Sequence, residues 1–307
     1  MDATPSVRLP AAAGSGLPDD PPAPLAIGRR LFEWGSRTFV MGIINVTPDS
    51  FSGDGLLARS EDPAGAAVEL ARQMAQEGAD LLDIGAVSTR PGHAEVDPAT
   101  EADRVLPVIR AVREALPDMP LSVDTTAGPV AAEALDAGAD MINDVWGVGD
   151  DDRLARLAAE RGTPLVVMHN RVEARYRSVV AEVLADLSRA LDRALRLGLS
   201  EESLIVDPGI GFGKTAEQNL VLLGELEVLT RLGRPILLGT SRKSTIGKVL
   251  DLPADQRLEG TLATTALGIA AGADIVRVHD VAANVRAARI SDAIVRGGWR
   301  EERAEGR

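Results

Sequence analysis

The sequence predicts one α/β domain, a (β/α)8 TIM barrel with a flexible N-terminal tail, and three observations carry that reading. From Gly28 onward, short β-branched or aliphatic runs alternate with alanine-rich segments of helical period, as in βα units on a parallel sheet. The tripeptide Gly-Ala-Asp recurs at 78–80, 138–140 and 272–274, each time between such a helix and such a strand. Polar residues collect where the strands end, and a barrel carries its chemistry at those ends.

The predicted strands are Val40–Val46, Leu81–Ile84, Leu121–Asp124, Met141–Asp144, Leu165–Met168, Ser203–Asp207, Ile236–Leu238 and Ile275–Val278. Of the helices between them, Pro63–Glu77 places Ala67, Leu70, Ala71 and Met74 on one face, and Val179–Leu197 continues that period. A glycine just past a helix accepts the left-handed conformation, so each Gly-Ala-Asp closes a helix and starts a strand at once. Eight strands in about 250 residues suit a closed barrel better than an open doubly wound sheet, although local periodicity is the same in both. Residues 1–27 read as a flexible Pro/Ala-rich tail without the charged start and apolar stretch of a signal peptide. The barrel is expected over 28–298, with a charged C-terminal tail at 299–307.

Composition narrows the function. A formal charge of −13 over 307 residues argues against nucleic acid or an anionic membrane as partner. An anionic ligand then needs a local basic cluster. The absence of cysteine removes disulfides, thiolate metal sites and cysteine nucleophiles. Aromatic residues at 3% argue against stacked-base readout and for an aliphatic core. No run approaches 18 apolar residues, so no membrane span is expected and the cytoplasm is the expected location.

The strand ends supply Asn45, Thr47, Asp49 and Ser50; Asp83, Ser88, Thr89 and Arg90; Asp124; Asn143 and Asp144; His169, Asn170 and Arg171; and Asp207. The last two strands add Thr240, Ser241, Arg242, Lys243 and Ser244, then Arg277, His279 and Asp280. Barrels often hold phosphate after these two strands. Arg277 and His279, two apart on one strand end, share a face. A strand-end aspartate can equally cap the next helix, and His169 reads better as a satisfied rim residue than as a ligand group. Two nucleotide-like motifs fail. Gly209-Ile210-Gly211-Phe212-Gly213-Lys214 has lysine where a dinucleotide fingerprint needs its third glycine, and Gly247-Lys248-Val249 lacks a P-loop's upstream glycine and hydroxyl.

The segment Met41-Gly42-Ile43-Ile44-Asn45-Val46-Thr47-Pro48-Asp49-Ser50-Phe51-Ser52 resembles the first signature of the dihydropteroate synthases, the sulfonamide targets of folate biosynthesis. Asp83-Ile84-Gly85 with Ser88-Thr89-Arg90-Pro91-Gly92 is similar to the second. Ser122–Thr125, Ile142–Asp144, Asp207–Lys214, Ser241–Ser244 and Arg277–Asp280 follow in the family's order. The match runs from about Arg30 to Arg296. Two places depart from the pattern: Gly85-Ala86-Val87 stands where the family has Gly-Gly-Glu, and Gly53-Asp54-Gly55 where it has Asp-Gly-Gly.

The resemblance implies a dimeric (β/α)8 barrel that condenses 6-hydroxymethyl-7,8-dihydropterin diphosphate with para-aminobenzoate. It implies a pterin slot of Asp124, Asn143, Met168, Asp207, Phe212 and Lys243. Asn45, Arg277 and His279 would hold the diphosphate, with Mg2+ on Asn45. Phe51, Thr89, Arg90, Pro91 and Ser244 would form the para-aminobenzoate site. Asp124, Lys243 and Arg277 would carry the catalysis, with Asp124 stabilising a pterin-methylene cation. A pterin-binding methyltransferase barrel or a non-catalytic paralogue are the alternatives. The Ser-Thr-Arg-Pro-Gly loop and the presence of Asp124, Lys243, Arg90 and Arg277 together favour the synthase.

Overall fold

A computed structural model describes residues 21–47, 62–87, 96–147 and 152–297. A hairpin of β1 (Leu25–Ile27) and β2 (Arg30–Phe32) comes first, followed by β3 (Phe39–Asn45), α1 (Pro63–Glu77) and β4 (Leu81–Gly85). Next are α2 (Pro98–Ala115), β5 (Leu121–Asp124), α3 (Gly128–Ala137), β6 (Met141–Asp144), α4 (Arg153–Arg161) and β7 (Leu165–Met168). The chain continues through α5 (Val179–Arg196), β8 (Leu204–Asp207), α6 (Ala216–Gly224) and β9 (Leu237–Leu238). Helices α7 (Ser244–Leu250) and α8 (Leu258–Ala270), strand β10 (Ile275–Val278) and helix α9 (Val281–Val295) complete it.

All eight predicted strands are present, in the order β8-β7-β6-β5-β4-β3-β10-β9, every neighbouring pair parallel. The ends of that order meet: Val206 bridges Ile236, and its N–H donates to the Pro235 carbonyl at 2.9 Å. The ring is therefore closed, and the open-sheet alternative falls.

The Gly-Ala-Asp repeat is the joint that holds the ring in register. Gly78, Gly138 and Gly272 have φ of 101°, 115° and 98°, a region costly for any residue with a Cβ. Each aspartate then clamps the strand before it in the ring. Its carboxylate accepts from the N–H of Val40 (2.8 Å), Leu121 (2.9 Å) or Ile236 (3.0 Å). Its own N–H donates to the carbonyl of that same residue at 2.8, 2.7 and 2.9 Å. Arg37 pairs with Asp80 and Arg113 with Asp140, both at 2.5 Å, so two of these carboxylates are also charge-compensated.

The core has two compartments. Aliphatic side chains fill the layer between strands and helices, as expected. Inside the barrel, Phe39, Met41, Leu81, Met141, Val166, Ile205, Leu237 and Ile275 pack with Leu25, Ile27, Phe32 and Trp34. This corrects the tail boundary at residue 27: Leu25–Ile27 is a paired strand, because an open barrel floor would leave those apolar ends in water. It also corrects the aliphatic core. Phe32, Trp34 and Phe39 seal the floor with ring centroids 4.7–5.7 Å apart.

Substituting Asp140→Ala strips a charged partner from Leu121 N–H and Arg113, and is expected to cost about 2–4 kcal/mol in urea unfolding. Asp118→Ala breaks only the exposed pair with Arg29 and should stay within about 0.5 kcal/mol of the parent. Equal effects would mean that the repeated aspartate is not a clamp.

Candidate active site

One step along the strands turns the apolar floor into a polar mouth. Side chains two apart on a strand share a face. Above Leu81, Met141, Val166, Ile205, Leu237 and Ile275 therefore stand Asp83, Asn143, Met168, Asp207, Gly239 and Arg277. Asp124 ends β5 on the same side, as its bond to Arg277 shows.

Arg277 organises one half of this layer. Its Nε donates to Asp83 Oδ2 at 2.6 Å and its Nη2 to Asp124 Oδ2 at 2.8 Å. Asn143 Nδ2 donates to the same Asp83 oxygen at 3.0 Å. Asp83 is fully buried, and among the described residues its Oδ1, like Asp124 Oδ1, has no hydrogen-bond partner. Burial lifts the Asp124 carboxyl to about 7, with Arg277 opposing the rise. Two buried carboxylate oxygens thus stand ready for donors or cations that the described residues do not supply.

Lys243 and Asp207 organise the other half. A Cβ at Gly239 would lie 3.7 Å from Lys243 Nζ and 3.9 Å from Asp207 Oδ2, so a cation and a carboxylate flank the one small residue in the layer. Lys243 Nζ donates to the Ile210 carbonyl at 2.5 Å and stands 4.6 Å from the centre of the Phe212 ring. Asp207 Oδ1 accepts from Gly209 N–H at 2.6 Å. Burial lowers the Lys243 ammonium to about 8, with Asp207 opposing. Burial likewise raises Asp207, with Lys243 opposing.

The turn after β9 delivers Lys243 at the cost of strain. Arg242 has φ of 56°, a rare conformation for a residue with a side chain. It is held by a two-pronged bond to Asp280 (3.0 and 2.6 Å), by its N–H on Thr261 Oγ1, and by Arg257 Nη1 on its carbonyl. The kink separates its neighbours. Ser241 Oγ meets His279 Nδ1 at 2.9 Å, while Lys243 turns to the mouth and Ser244 starts α7.

The structure thus gathers Asp124, Asn143, Met168, Asp207, Lys243 and Arg277 at the mouth, with Phe212 beside Lys243. Asn45 ends β3, half-buried and paired with Gly85, and His279 follows the adjacent β10. Phe51, Thr89, Arg90 and Pro91 lie outside the described residues. Asp144 accepts from the N–H of Trp146, and Asp280 binds Arg242 and makes no side-chain cap bond to α9. His169 is the satisfied rim residue that was expected, between Asp186 Oδ2 (3.1 Å) and Lys214 Nζ (2.9 Å). Sequence reasoning left Asp83 without a role. Its signal was a carboxylate inside Leu81-Leu82-Asp83-Ile84, a strand buried on both faces, where a charge demands a partner.

A family model described as pterin binding enzyme matches residues 41–279. A curated dihydropteroate synthase of Clostridium beijerinckii is 47% identical over 273 residues, 89% of this chain and 100% of its own. The structure of a dihydropteroate synthase from Clostridium difficile in the presence of pteroic acid matches with a TM-score of 0.81 at 47% identity, over 86% of this chain and 99% of that one. The Xanthomonas albilineans dihydropteroate synthase with 4-aminobenzoic acid matches at 0.82 and 40% identity, over 89% and 98%. On its floor, its mouth and these likenesses, the chain belongs to the pterin-binding enzyme family and, within it, to the dihydropteroate synthases.

Proposed function

We propose that the mouth condenses 6-hydroxymethyl-7,8-dihydropterin diphosphate with para-aminobenzoate through a pterin-methylene cation, and that the chain does so as a cytoplasmic homodimer. The observation that carries the site assignment is the Asp207–Lys243 pair across Gly239. A pterin edge sets N–H and amino donors beside a carbonyl, so a carboxylate meets the donors and an ammonium the acceptors. Asp124 and Asn143 complete the slot, and Met168 and Phe212 supply its apolar walls. Para-aminobenzoate would sit against Phe51, Thr89, Arg90, Pro91 and Ser244.

The bond from the pterin methylene to the diphosphate oxygen breaks with both electrons on the oxygen. Arg277, His279 and Asn45 receive that charge. Asp124, ionised, faces the cation left behind, and the amine nitrogen of para-aminobenzoate then forms the new C–N bond and loses a proton. Arg277 couples the two events, since the guanidinium that meets the leaving group is bonded to the carboxylate that faces the cation.

The residues fit Mg2+. Among the described residues no group of three or more His, Asp or Glu could cage a metal. The mouth instead offers hard oxygens: the Asn45 carboxamide, and Thr47 Oγ1, Asp83 Oδ1 and Asp124 Oδ1, all three buried and without a hydrogen-bond partner among the described residues. Mg2+ commonly takes one or two protein oxygens, substrate phosphates and water. When bound through Asn45 it neutralises charge on the diphosphate.

A second copy would dock on the face formed by α6, α7 and α8, which pack side by side. There Leu220, Val221, Val249, Leu250 and Leu267 are exposed, an apolar set that a monomer would leave in water. Leu267→Glu should shift the mass in light scattering from dimer to monomer. A parent that is already monomeric would refute the assignment.

The function is tested by a coupled assay for diphosphate release that requires both substrates. Release without para-aminobenzoate, or none with both, would remove the reading. Run across pH, kcat/KM for the pterin substrate should be bell-shaped. It rises through about 7 as Asp124 ionises and falls through about 8 as Lys243 loses its proton. Arg277→Ala should weaken binding of the pterin diphosphate by roughly ten-fold or more, at about 1.5–3 kcal/mol for a charged hydrogen bond, and a pterin without diphosphate far less. Equal losses in calorimetry would take Arg277 out of the diphosphate site.

A further inference from the structure

The segment Gly209–Lys214, rejected above as a nucleotide motif, forms a tight turn against the chain after β7. Gly209, Gly211 and Gly213 have φ of 66°, 86° and 54°. A Cβ at Gly209 would sit 1.8 Å from the His169 carbonyl oxygen, and one at Gly213 would sit 2.2 Å from that of Arg171. Backbone packed this closely leaves carbonyls turned inward that need donors. Lys214 supplies them. Its Nζ donates to the carbonyls of Gly209 (3.0 Å) and Phe212 (3.1 Å) and to His169 Nδ1 (2.9 Å).

The ammonium is itself held from behind. His169 Nε2 meets Asp186 Oδ2 at 3.1 Å, and Arg171 binds the same oxygen at 3.0 and 2.6 Å. With Nε2–H donating to Asp186, Nδ1 carries the lone pair that accepts from Lys214. Burial and the nearby Lys214 charge lower the His169 ring to about 4, so it stays neutral near pH 7 and keeps that lone pair. On its other side the turn presents three groups to the mouth: Gly209 N–H on Asp207, the Ile210 carbonyl on Lys243 Nζ, and the Phe212 ring 4.6 Å from that same Nζ.

We propose that Lys214 is a positioning residue for the pterin slot: clamped by His169 and Asp186, its ammonium fixes the Gly209–Phe212 turn and through it the placement of Lys243 and Asp207. The inference rests on the reading that Lys243 contacts the pterin. Lys214 does not need to touch substrate. A mobile turn would release the Ile210 carbonyl and leave Lys243 free to swing, so the loss should fall on pterin binding and spare the aminobenzoate side.

The test is a double-mutant cycle on Lys214→Met and Lys243→Met, read by calorimetry with 6-hydroxymethylpterin and by steady-state kinetics. Each single variant should weaken pterin binding by about ten-fold or more. For Lys214→Met, KM should rise for the pterin diphosphate and stay within about two-fold for para-aminobenzoate. In the Lys243→Met background, removing Lys214 should cost clearly less than its roughly ten-fold effect in the parent, because the part that runs through Lys243 is already lost and only the part through Asp207 remains. Unchanged pterin affinity in Lys214→Met, equal rises in both KM values, or full additivity would overturn the inference while leaving the slot intact. Unchanged affinity in Lys243→Met would overturn the slot reading and this inference with it. If Lys214→Met does not fold, Asp186→Asn decides. It leaves the lysine in place and loosens His169, and should weaken pterin binding about three-fold or more; parent-like affinity would sink the idea.

Discussion

Charge compensation in a buried barrel mouth is the constraint on which the rest depends. Asp83, Asp124 and Asp207 lie buried at or near one level of the ring. Each ionised carboxylate taken from water costs several kcal/mol unless a cation and hydrogen bonds meet it. Arg277 meets two of them, and Lys243 and Lys214 act on the third. The balance is geometric. Arg277 is on β10, whereas Asp83 and Asp124 are on β4 and β5, which are not its neighbours in the ring. The bonds reach past the intervening strands over the barrel interior, so they need the sheet to curl.

The two ends of the barrel divide stability from chemistry. At the floor, repeated aspartates clamp strand starts, glycines take the left-handed conformation where helices end, and an aromatic cluster with a hairpin excludes water. At the mouth the rules loosen. Arg242 adopts a strained backbone, buried oxygens are left without partners, and lysine and aspartate titrate far from their ordinary ranges. Such features persist only where surrounding structure over-determines them. Arg242 is so held, between Asp280, Thr261 and the guanidinium of Arg257.

The turn at Gly209–Lys214 shows how a motif changes meaning with context. Read alone, alternating glycines followed by lysine suggest a phosphate cradle. In the fold the glycines instead allow backbone to touch backbone at His169 and Arg171, and the lysine faces carbonyls rather than an anion. The same residues thus serve the site from behind.

Strand number, helix positions and the joints at 78–80, 138–140 and 272–274 were legible in the sequence, because they depend on local periodicity and on what glycine alone can do. Pro63–Glu77 was read to the residue, and the strands to within about two. Most of the mouth was legible too, since Asn143, Asp207, Lys243 and Arg277 stand at strand ends in a recognisable order. The rest was not. Leu25–Ile27 looks like the end of a Pro/Ala-rich tail, and only an apolar barrel floor gives it a reason to pair. Asp83 reads as one polar residue in an apolar strand until Arg277 reaches it past β3, from two strands away in the ring. The crossing ion pairs join residues up to 194 positions apart. Local pattern dictates each element, but which charges neutralise one another is decided only when the strands share one interior.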